Sequence, residues 1–578
     1  MQKFQGNGCA EGIARGKVLI KKEFCPVFSV MPVDDVEKEL RLLDGSVHTL
    51  KEQLEVAYEK TLQESGEEAA ELIETYRMIL LDENFFDEIR GNIRTKKLAC
   101  ITAINQVCER WKDEFFAMED AYMRERWNDI RSVCQSLIML ACNVPGGLTG
   151  IRFQEPTCVV ADVLTPVDTM KLDKKYLCGF VTENGGTTSH AVILARTLGI
   201  PAIVGVEEIT DKIENDVDII VNGNDGEIVI QPDEETLQRY ESMIYKLDEQ
   251  NHLFEQEPQG DVYTKDGQRI FIEVNSGDLD TTAMLDSQRN DGVGLFRTEF
   301  LYMNQEDYPD EETLFGLYRD AVKKVEGKNF VFRTLDIGGE KALDYMELPD
   351  EENPFLGYRA VRICLQRPEL FRTQLRAILR ASAYGNVQIM IPMITCVEEV
   401  VKCRELIAEC IEELKKEEIP VKEDIEVGIM VETPASVLIL DRLAAYVDFF
   451  SIGTNDLVQY IMAADRGNPN VQNLYDPFQI PVLRAIHHIG KVAKAHHIPV
   501  CVCGETAAML PMVPFLVGCG VEKLSMAAAA TPKLRYFVRR IARKECETLA
   551  NEVVCMFSKE KVKEKLQQFS DEVMERTV

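Results

Sequence analysis

The chain has 578 residues, too many for one core, and its 46% hydrophobic and 28% charged composition predicts a folded protein of three or four domains. A net charge of −32 argues against nucleic acid or an anionic membrane as partner, and no apolar run suggests membrane insertion. The opening residues carry no apolar secretory core, and seventeen cysteines are scattered without a Cys-x-x-Cys pair, which predicts reduced thiols in a cytoplasmic protein.

In chain order, Gly12 to Ile20 reads as a strand with turn glycines, and strand–helix alternation resumes near Thr157. Residues 33–143 between them read as helix almost throughout. Leu40, Leu43, Val47, Leu50, Leu54 and Ala57 recur by threes and fours, as in a packed helix seam. A second such run passes through Leu72, Ile73, Tyr76, Ile79 and Leu80, and Pro145-Gly-Gly closes the block. Its first part is acidic, with seventeen Asp/Glu against six Lys/Arg between Val33 and Arg90. That excess suits either a solvated helix face or a docking surface for a basic protein. The pattern predicts an all-helical domain (33–143) inserted into an α/β domain made of residues 1–32 and 144–232. Strands of the latter are expected at Cys158–Ala161, Gly179–Thr182, Ala202–Gly205, Asp218–Val221 and Glu227–Ile230. Residues 233–261, a polar helical pattern followed by Gln256-Glu-Pro-Gln-Gly-Asp, form a linker.

Residues 262–578 alternate eight apolar strands with helical segments, the pattern of a (β/α)8 TIM barrel, whose active site lies where its strands end. Polar residues gather at those ends. Arg297 and Glu299 follow strand two, Arg333 ends strand three, and Glu432 closes strand five. Asn455 and Asp456 close strand six, Arg466 lies ten residues beyond Asp456, and Cys503 closes strand seven. Any one of these can be structural, but so many at one barrel end read as a site. Three arginines suit a ligand bearing phosphate and carboxylate, since each guanidinium offers paired donors. Two carboxylates, Glu432 and Asp456, are too few to cage a metal alone, which suits Mg²⁺ completing its shell from water and substrate. A strand-end thiol such as Cys503 can deliver a proton to carbon.

A second constellation is Gly185-Gly-Thr-Thr-Ser-His190. Paired glycines admit close approach to the backbone, and Ser189 can cap a following helix. His190 would then stand in the first turn, where free N–H groups and the dipole favour an added phosphoryl group.

Several long motifs occur together and in order. They are Gly-Gly-x-Thr-Ser-His with Pro-Ala-Ile-Val-Gly behind it, Gly-Leu-Phe-Arg-Thr-Glu-Phe-Leu, Arg-Thr-Leu-Asp-Ile-Gly-Gly, Asn-Pro-Phe-Leu-Gly-Tyr-Arg, Val-Glu-Thr-Pro, Ser-Ile-Gly-Thr-Asn-Asp-Leu and Cys-Gly-Glu. Across essentially the whole chain they resemble the enzyme I family of the bacterial phosphotransferase sugar-uptake system. The resemblance implies an α/β multidomain fold. Its parts would be a swivelling phosphohistidine domain, the helical insertion as docking site for the carrier HPr, a linker helix, and a phosphoenolpyruvate-binding barrel that also forms a homodimer. It implies that His190 is phosphorylated at Nε2 and then donates to HPr. Arg297, Arg333, Asn455, Asp456 and Arg466 would bind phosphoenolpyruvate, Glu432 and Asp456 would hold Mg²⁺, and Cys503 would protonate the enolate. One departure is Thr187, where the family usually has Arg before Thr-Ser-His. Pyruvate phosphate dikinase and phosphoenolpyruvate synthase share the histidine loop and the barrel, but about 110 helical residues stand here in place of their nucleotide-binding domain.

Overall fold

Two units divide the chain, Met1–Glu249 and Gln250–Val578, each with its own core. The computed structural model describes residues 1–576 except 22–25, 27, 30, 66–72, 74–75, 118–120, 143–154, 165–167, 169–171, 173–174, 185–191, 193, 196–197, 278–289, 304–306, 326, 339–342, 347, 350, 467, 469–470 and 472.

In the first unit eight strands form one mixed sheet. They are β1 (Gln2–Gln5), β2 (Asn7–Ala10), β3 (Ile13–Lys21), β4 (Thr157–Ala161), β5 (Leu177–Thr182), β6 (Ala202–Val204), β7 (Asp218–Asn222) and β8 (Glu227–Ile230). Their order is β1-β8-β7-β3-β4-β5-β6-β2. The central strands β3, β4, β5 and β6 run parallel, and antiparallel pairs flank them. Strand alternation sends Val159, Phe180 and Ala202 to one buried face and Cys158, Val160, Val181 and Ile203 to the other. Burial on both faces is why these short strands read as unbroken apolar runs. Sequence patterning did not anticipate β1 and β2. Both are short and polar, and their partners, such as Ile230 for Gln2 and Ile203 for Gly8, are remote in sequence.

Between β3 and β4 the chain forms the helices α1 (Val36–Ser65), α2 (Glu83–Lys96), α3 (Cys100–Ala117) and α4 (Ala121–Ala141). The expected seam is buried at Leu40, Leu43, Leu50, Leu54 and Ala57, with Val47 at its margin, and Ile73, Tyr76 and Leu80 join the same core. Asp82 caps α2 by accepting from the N–H groups of Asn84 and Phe85 at 2.9 and 3.2 Å. Helix α5 (Glu234–Glu255) follows β8, and its Tyr240 is buried against Ile220 and Val229 of the sheet.

In the second unit a closed parallel barrel is built from β10 (Arg269–Ser276), β11 (Gly292–Arg297), β12 (Asn329–Arg333), β13 (Asn386–Ile391), β14 (Glu426–Val431), β15 (Phe450–Ile452), β16 (Val500–Val502) and β17 (Lys523–Met526). Strands β10 and β17 pair to close it, and a two-residue strand β9 (Val262–Tyr263) lies antiparallel to β10. All eight apolar runs anticipated for the barrel are strands of it. Amphipathic helices cover the outside, among them α6 (Glu311–Lys324), α7 (Pro368–Ala381), α8 (Val397–Lys416), α9 (Thr454–Met462) and α10 (Ile480–His496). Helix α8 shows the spacing plainly, burying Val400, Cys403, Ile407, Cys410, Ile411 and Leu414. Inside the barrel, Leu295, Val331, Met390, Met430, Phe449 and Cys503 form a separate apolar plug. Among the described residues no helix is long and apolar enough to cross a membrane, and the cysteines are free thiols.

Candidate active site

Parallel strands deliver the residue just past their last ladder bond to one barrel mouth. That is where the structure places the strand-end residues singled out in the sequence, Glu299 among them. Arg297 and Arg333 are the last residues of β11 and β12, and their Cα atoms pair in register. Glu432 follows β14, Asn455 and Asp456 open α9 after β15, Arg466 follows α9, and Cys503 follows β16. His190 lies outside the described residues, as do Gly185 to Ser189. What flanks them is described. Strand β5 ends at Thr182, Glu183 accepts hydrogen bonds from Thr210 N and Oγ1 at 2.8 and 2.6 Å, and Val192, Leu194 and Ala195 are buried against the sheet.

Charge at the barrel mouth is organised as a chain of alternating sign. Glu299, fully buried, accepts from Arg333 Nη2 at 2.5 Å. Arg333 Nη1 lies 3.3 Å from Asp336, which accepts two further bonds from Arg359 Nη2 at 2.8 and 3.0 Å. Arg359 Nη2 stands 3.7 Å from Asp456 Oδ2, and Arg466 Nη1 stands 3.7 Å from Asp456 Oδ1. Burial works against the charge on Arg333, but Glu299, Asp336, Glu432 and Asp456 outweigh it and push that guanidinium up. Arg297 differs. Burial and the like charge of Arg333 push it down, and among the described residues no carboxylate pairs with it. Glu299 and Glu505 offset only part of that fall.

Glu432 is 1% exposed and accepts from Met393 N at 2.7 Å. Burial, reinforced by the negative charges of Asp456 and Asp336, pushes its carboxyl from 4.5 up to about 8. Met393 turns its N–H to that carboxylate from a left-handed backbone, φ 59°. Gly453 makes room on the other side, since a Cβ there would stand 2.6 Å from Glu432 Oε2. Asp456 Oδ1 is buried and receives no hydrogen bond among the described residues. No cluster of three or more His, Cys, Asp or Glu forms a metal cage among those residues. A divalent cation here would therefore lean on two carboxylates and on non-protein oxygens.

Cys503 is 2% exposed, with Ser451 Oγ 3.2 Å from its sulfur. Burial pushes its thiol up to about 11, so it holds its proton at neutral pH. Its carbonyl accepts from Asn275 Nδ2 at 3.0 Å. Asn455 accepts from the N–H of Glu505 at 3.4 Å, tying the segment after β15 to the segment after β16.

Sequence reasoning passed over Arg359 and Asp336. Arg359 ends the Asn-Pro-Phe-Leu-Gly-Tyr-Arg motif and precedes a short helix, Val361–Gln366, so the strand-end rule does not reach it. The next residue, Ala360, has φ 54° and ψ −129°, a backbone state costly for any residue with a Cβ. Together with the bond from Ala360 N to Ile337 O (3.0 Å), it fixes where Arg359 enters the site.

Comparison with known proteins identifies the family. Residues 252–543 match the PEP-binding domain of PEP-utilising enzymes, residues 5–126 their N-terminal domain and residues 153–226 their mobile domain. The chain is 38% identical over 563 residues to the phosphoenolpyruvate-protein phosphotransferase of Priestia megaterium, covering 97% of this chain and 98% of that protein. It is 38% identical over 568 residues to the protein of the same name from Bacillus subtilis, covering 97% and 98%. A solution structure of enzyme I is 31% identical, covers 42% of this chain and 99% of its own, and superposes with a TM-score of 0.36. With all three domains matched and near-full-length relatives above a third identity, this chain belongs to the phosphoenolpyruvate-protein phosphotransferase family of transferases.

Proposed function

We propose that the protein moves the phosphoryl group of phosphoenolpyruvate onto His190, releasing pyruvate, and passes it on to a histidine of the carrier HPr. This would be the first step of a phosphoenolpyruvate-dependent sugar phosphotransferase system in the cytoplasm. The observation that carries the reading is the barrel mouth itself, where Arg297 and Arg333 end neighbouring strands, Arg466 stands 3.7 Å from Asp456, and the Cys503 thiol keeps its proton.

In this reading Arg297, Arg333, Arg466 and the Asn455–Asp456 segment hold the substrate's phosphate and carboxylate, and among the described residues no carboxylate forms an ion pair with Arg297. Glu432 and Asp456 would hold Mg²⁺. The fit is chemical: Asp456 Oδ1 receives no hydrogen bond among the described residues, and Glu432 is raised by burial and by like charges that a divalent cation would offset. When bound, such a metal neutralises charge on the transferring phosphoryl group. As the bond from phosphorus to the enol oxygen breaks, phosphorus bonds to His190 Nε2 and the electron pair stays on the enolate. Cys503 then gives its proton to the methylene carbon, and pyruvate results. The His190 ring must present an unprotonated Nε2, and its place at a helix start, read from the sequence, favours the phosphorylated form.

The helical domain at 33–143, with its acidic first part, would receive HPr, and the barrel at 262–578 would carry the homodimer contacts. The domain at 1–32 and 144–232 would bring His190 to each in turn, with 233–261 as the linker. Family membership supports these assignments. The test is a chase experiment. The protein is charged with labelled phosphoenolpyruvate and Mg²⁺, and HPr is then added. Stoichiometric pyruvate and label that leaves the protein for HPr are expected. Label that stays on the protein, or charging that requires ATP, contradicts the assignment.

A further inference from the structure

Cys158 and Cys178 stand on adjacent parallel strands of the first unit, β4 and β5, with their sulfurs 3.3 Å apart. The ladder pairs Thr157 with Leu177 and then Cys158 with Gly179, so Cys178 is an additional residue in β5. Its side chain shares the sheet face that buries Cys158, Val160 and Val181. Gly16 of β3 completes the seat. A Cβ there would stand 2.6 Å from the Cys178 sulfur, so the missing side chain leaves the space that the sulfur fills.

The two thiols differ in access. Cys158 is fully buried, whereas Cys178 is partly exposed, its sulfur 3.6 Å from the Arg15 carbonyl. A small oxidant meets one sulfur first and finds the second held directly behind it. Other thiols lack one half of that arrangement. Cys108 and Cys134 interact within the helical domain, but both are buried. Cys555 is exposed, but among the described residues no second sulfur contacts it. An S–S bond is about 2.05 Å long, so the closure required of Cys158 and Cys178 is on the order of 1 Å. In a reducing compartment such a bond is transient, which suits thiols that are free here.

We propose that Cys158 and Cys178 form a peroxide-reactive dithiol, a reversible modification site on the α/β domain. The Cys178 sulfur, as thiolate, attacks one oxygen of hydrogen peroxide and the O–O bond breaks. A sulfenic acid remains on Cys178, and the departing hydroxide takes up a proton to become water. The Cys158 sulfur then attacks the Cys178 sulfur. The S–S bond forms, and the sulfenic hydroxyl leaves with the Cys158 proton as a second water. Two thiols lose two electrons in all, and one peroxide is reduced to two waters. An external dithiol reverses the change by thiol–disulfide exchange. Neither cysteine belongs to the barrel mouth, so the site does not depend on the roles assigned to phosphoryl transfer.

Peptide mapping of the full-length protein tests this. Reduced protein is treated with stoichiometric hydrogen peroxide, its remaining thiols are alkylated, and the digest is read by mass spectrometry. A Cys158–Cys178 linked peptide, lighter by two hydrogens than the two thiol peptides together, should exceed every other disulfide and disappear after dithiothreitol. In Cys158→Ser the reaction should stop at a sulfenic acid on Cys178, which dimedone traps. In Cys178→Ser the buried Cys158 should stay reduced. The map of the unsubstituted protein stands by itself if either variant fails to fold. Oxidation confined to Cys555, a Cys108–Cys134 bond formed in place of the expected one, a linked peptide that survives dithiothreitol, or equal dimedone trapping at Cys158 and Cys178 would each overturn the proposal.

Discussion

Burial pushes both the Cys503 thiol and the Glu432 carboxyl upward, with different consequences for chemistry. For Cys503 the shift keeps a proton in place up to about pH 11, which is what a donor to an enolate carbon needs. Cys503→Ala should slow pyruvate formation by about 10²–10⁴-fold while phosphoenolpyruvate still binds. Single-turnover kinetics with a separate binding titration checks this, and unchanged turnover at saturating substrate would reduce Cys503 to packing. For Glu432 the shift sets a competition between proton and cation. Its folded value, about 8, lies above its ordinary 4.5, so the folded state binds the extra proton. The stabilisation is complete below 4.5 and is lost as pH rises through 8, at about 1.4 kcal/mol per pH unit between them. Metal-free protein carrying Glu432→Gln should lack that slope in denaturant unfolding across the window. In the unsubstituted protein the Mg²⁺ concentration needed for half-maximal activity should rise as pH falls below 8. A slope shared by both proteins, or activity unaffected by a chelator, would remove Glu432 from the metal.

The turns after β13, β14 and β15 decide where these side chains stand. Met393 takes a left-handed turn to aim its N–H at Glu432, and Gly453 leaves the space its carboxylate fills. Gly453→Ala would place a Cβ 2.6 Å from Glu432 Oε2 and 2.9 Å from Met430 Sδ. Something must shift, and a displacement near 1 Å at a reacting centre costs about a hundredfold in rate. A steady-state assay should show that loss in kcat with the fold retained by circular dichroism, whereas wild-type kcat would mean the turn adapts freely. Such elements also mark the limit of sequence reading. The barrel strands were legible because burial on both faces leaves unbroken apolar runs such as Val427 to Val431. The strand-end rule then singled out Arg297, Arg333, Glu432, Asp456 and Cys503, which do stand at one barrel mouth. Arg359 escaped because a strained Ala360, not a strand end, delivers it, and its partner Asp336 was read only as part of a motif. β1 escaped because Phe4 is its one apolar residue and its register is set by β8, more than two hundred residues away.

At the scale of the whole chain two units each hold their own core. A fragment of residues 1–235 contains the sheet, the helical insertion and His190, and should fold alone. It should exchange label reversibly with phosphorylated HPr yet take none from phosphoenolpyruvate, because the arginines and Cys503 lie in the other unit. Direct labelling of that fragment by phosphoenolpyruvate would separate the barrel from the chemistry. The central claim, that phosphoenolpyruvate charges His190, is tested most directly on the full-length protein. Unsubstituted protein and His190→Ala are incubated with labelled phosphoenolpyruvate and Mg²⁺, and protein-bound label is followed through acid and base. The account predicts acid-labile, base-stable label on the unsubstituted protein and none on a folded His190→Ala, whereas equal label on both would contradict it.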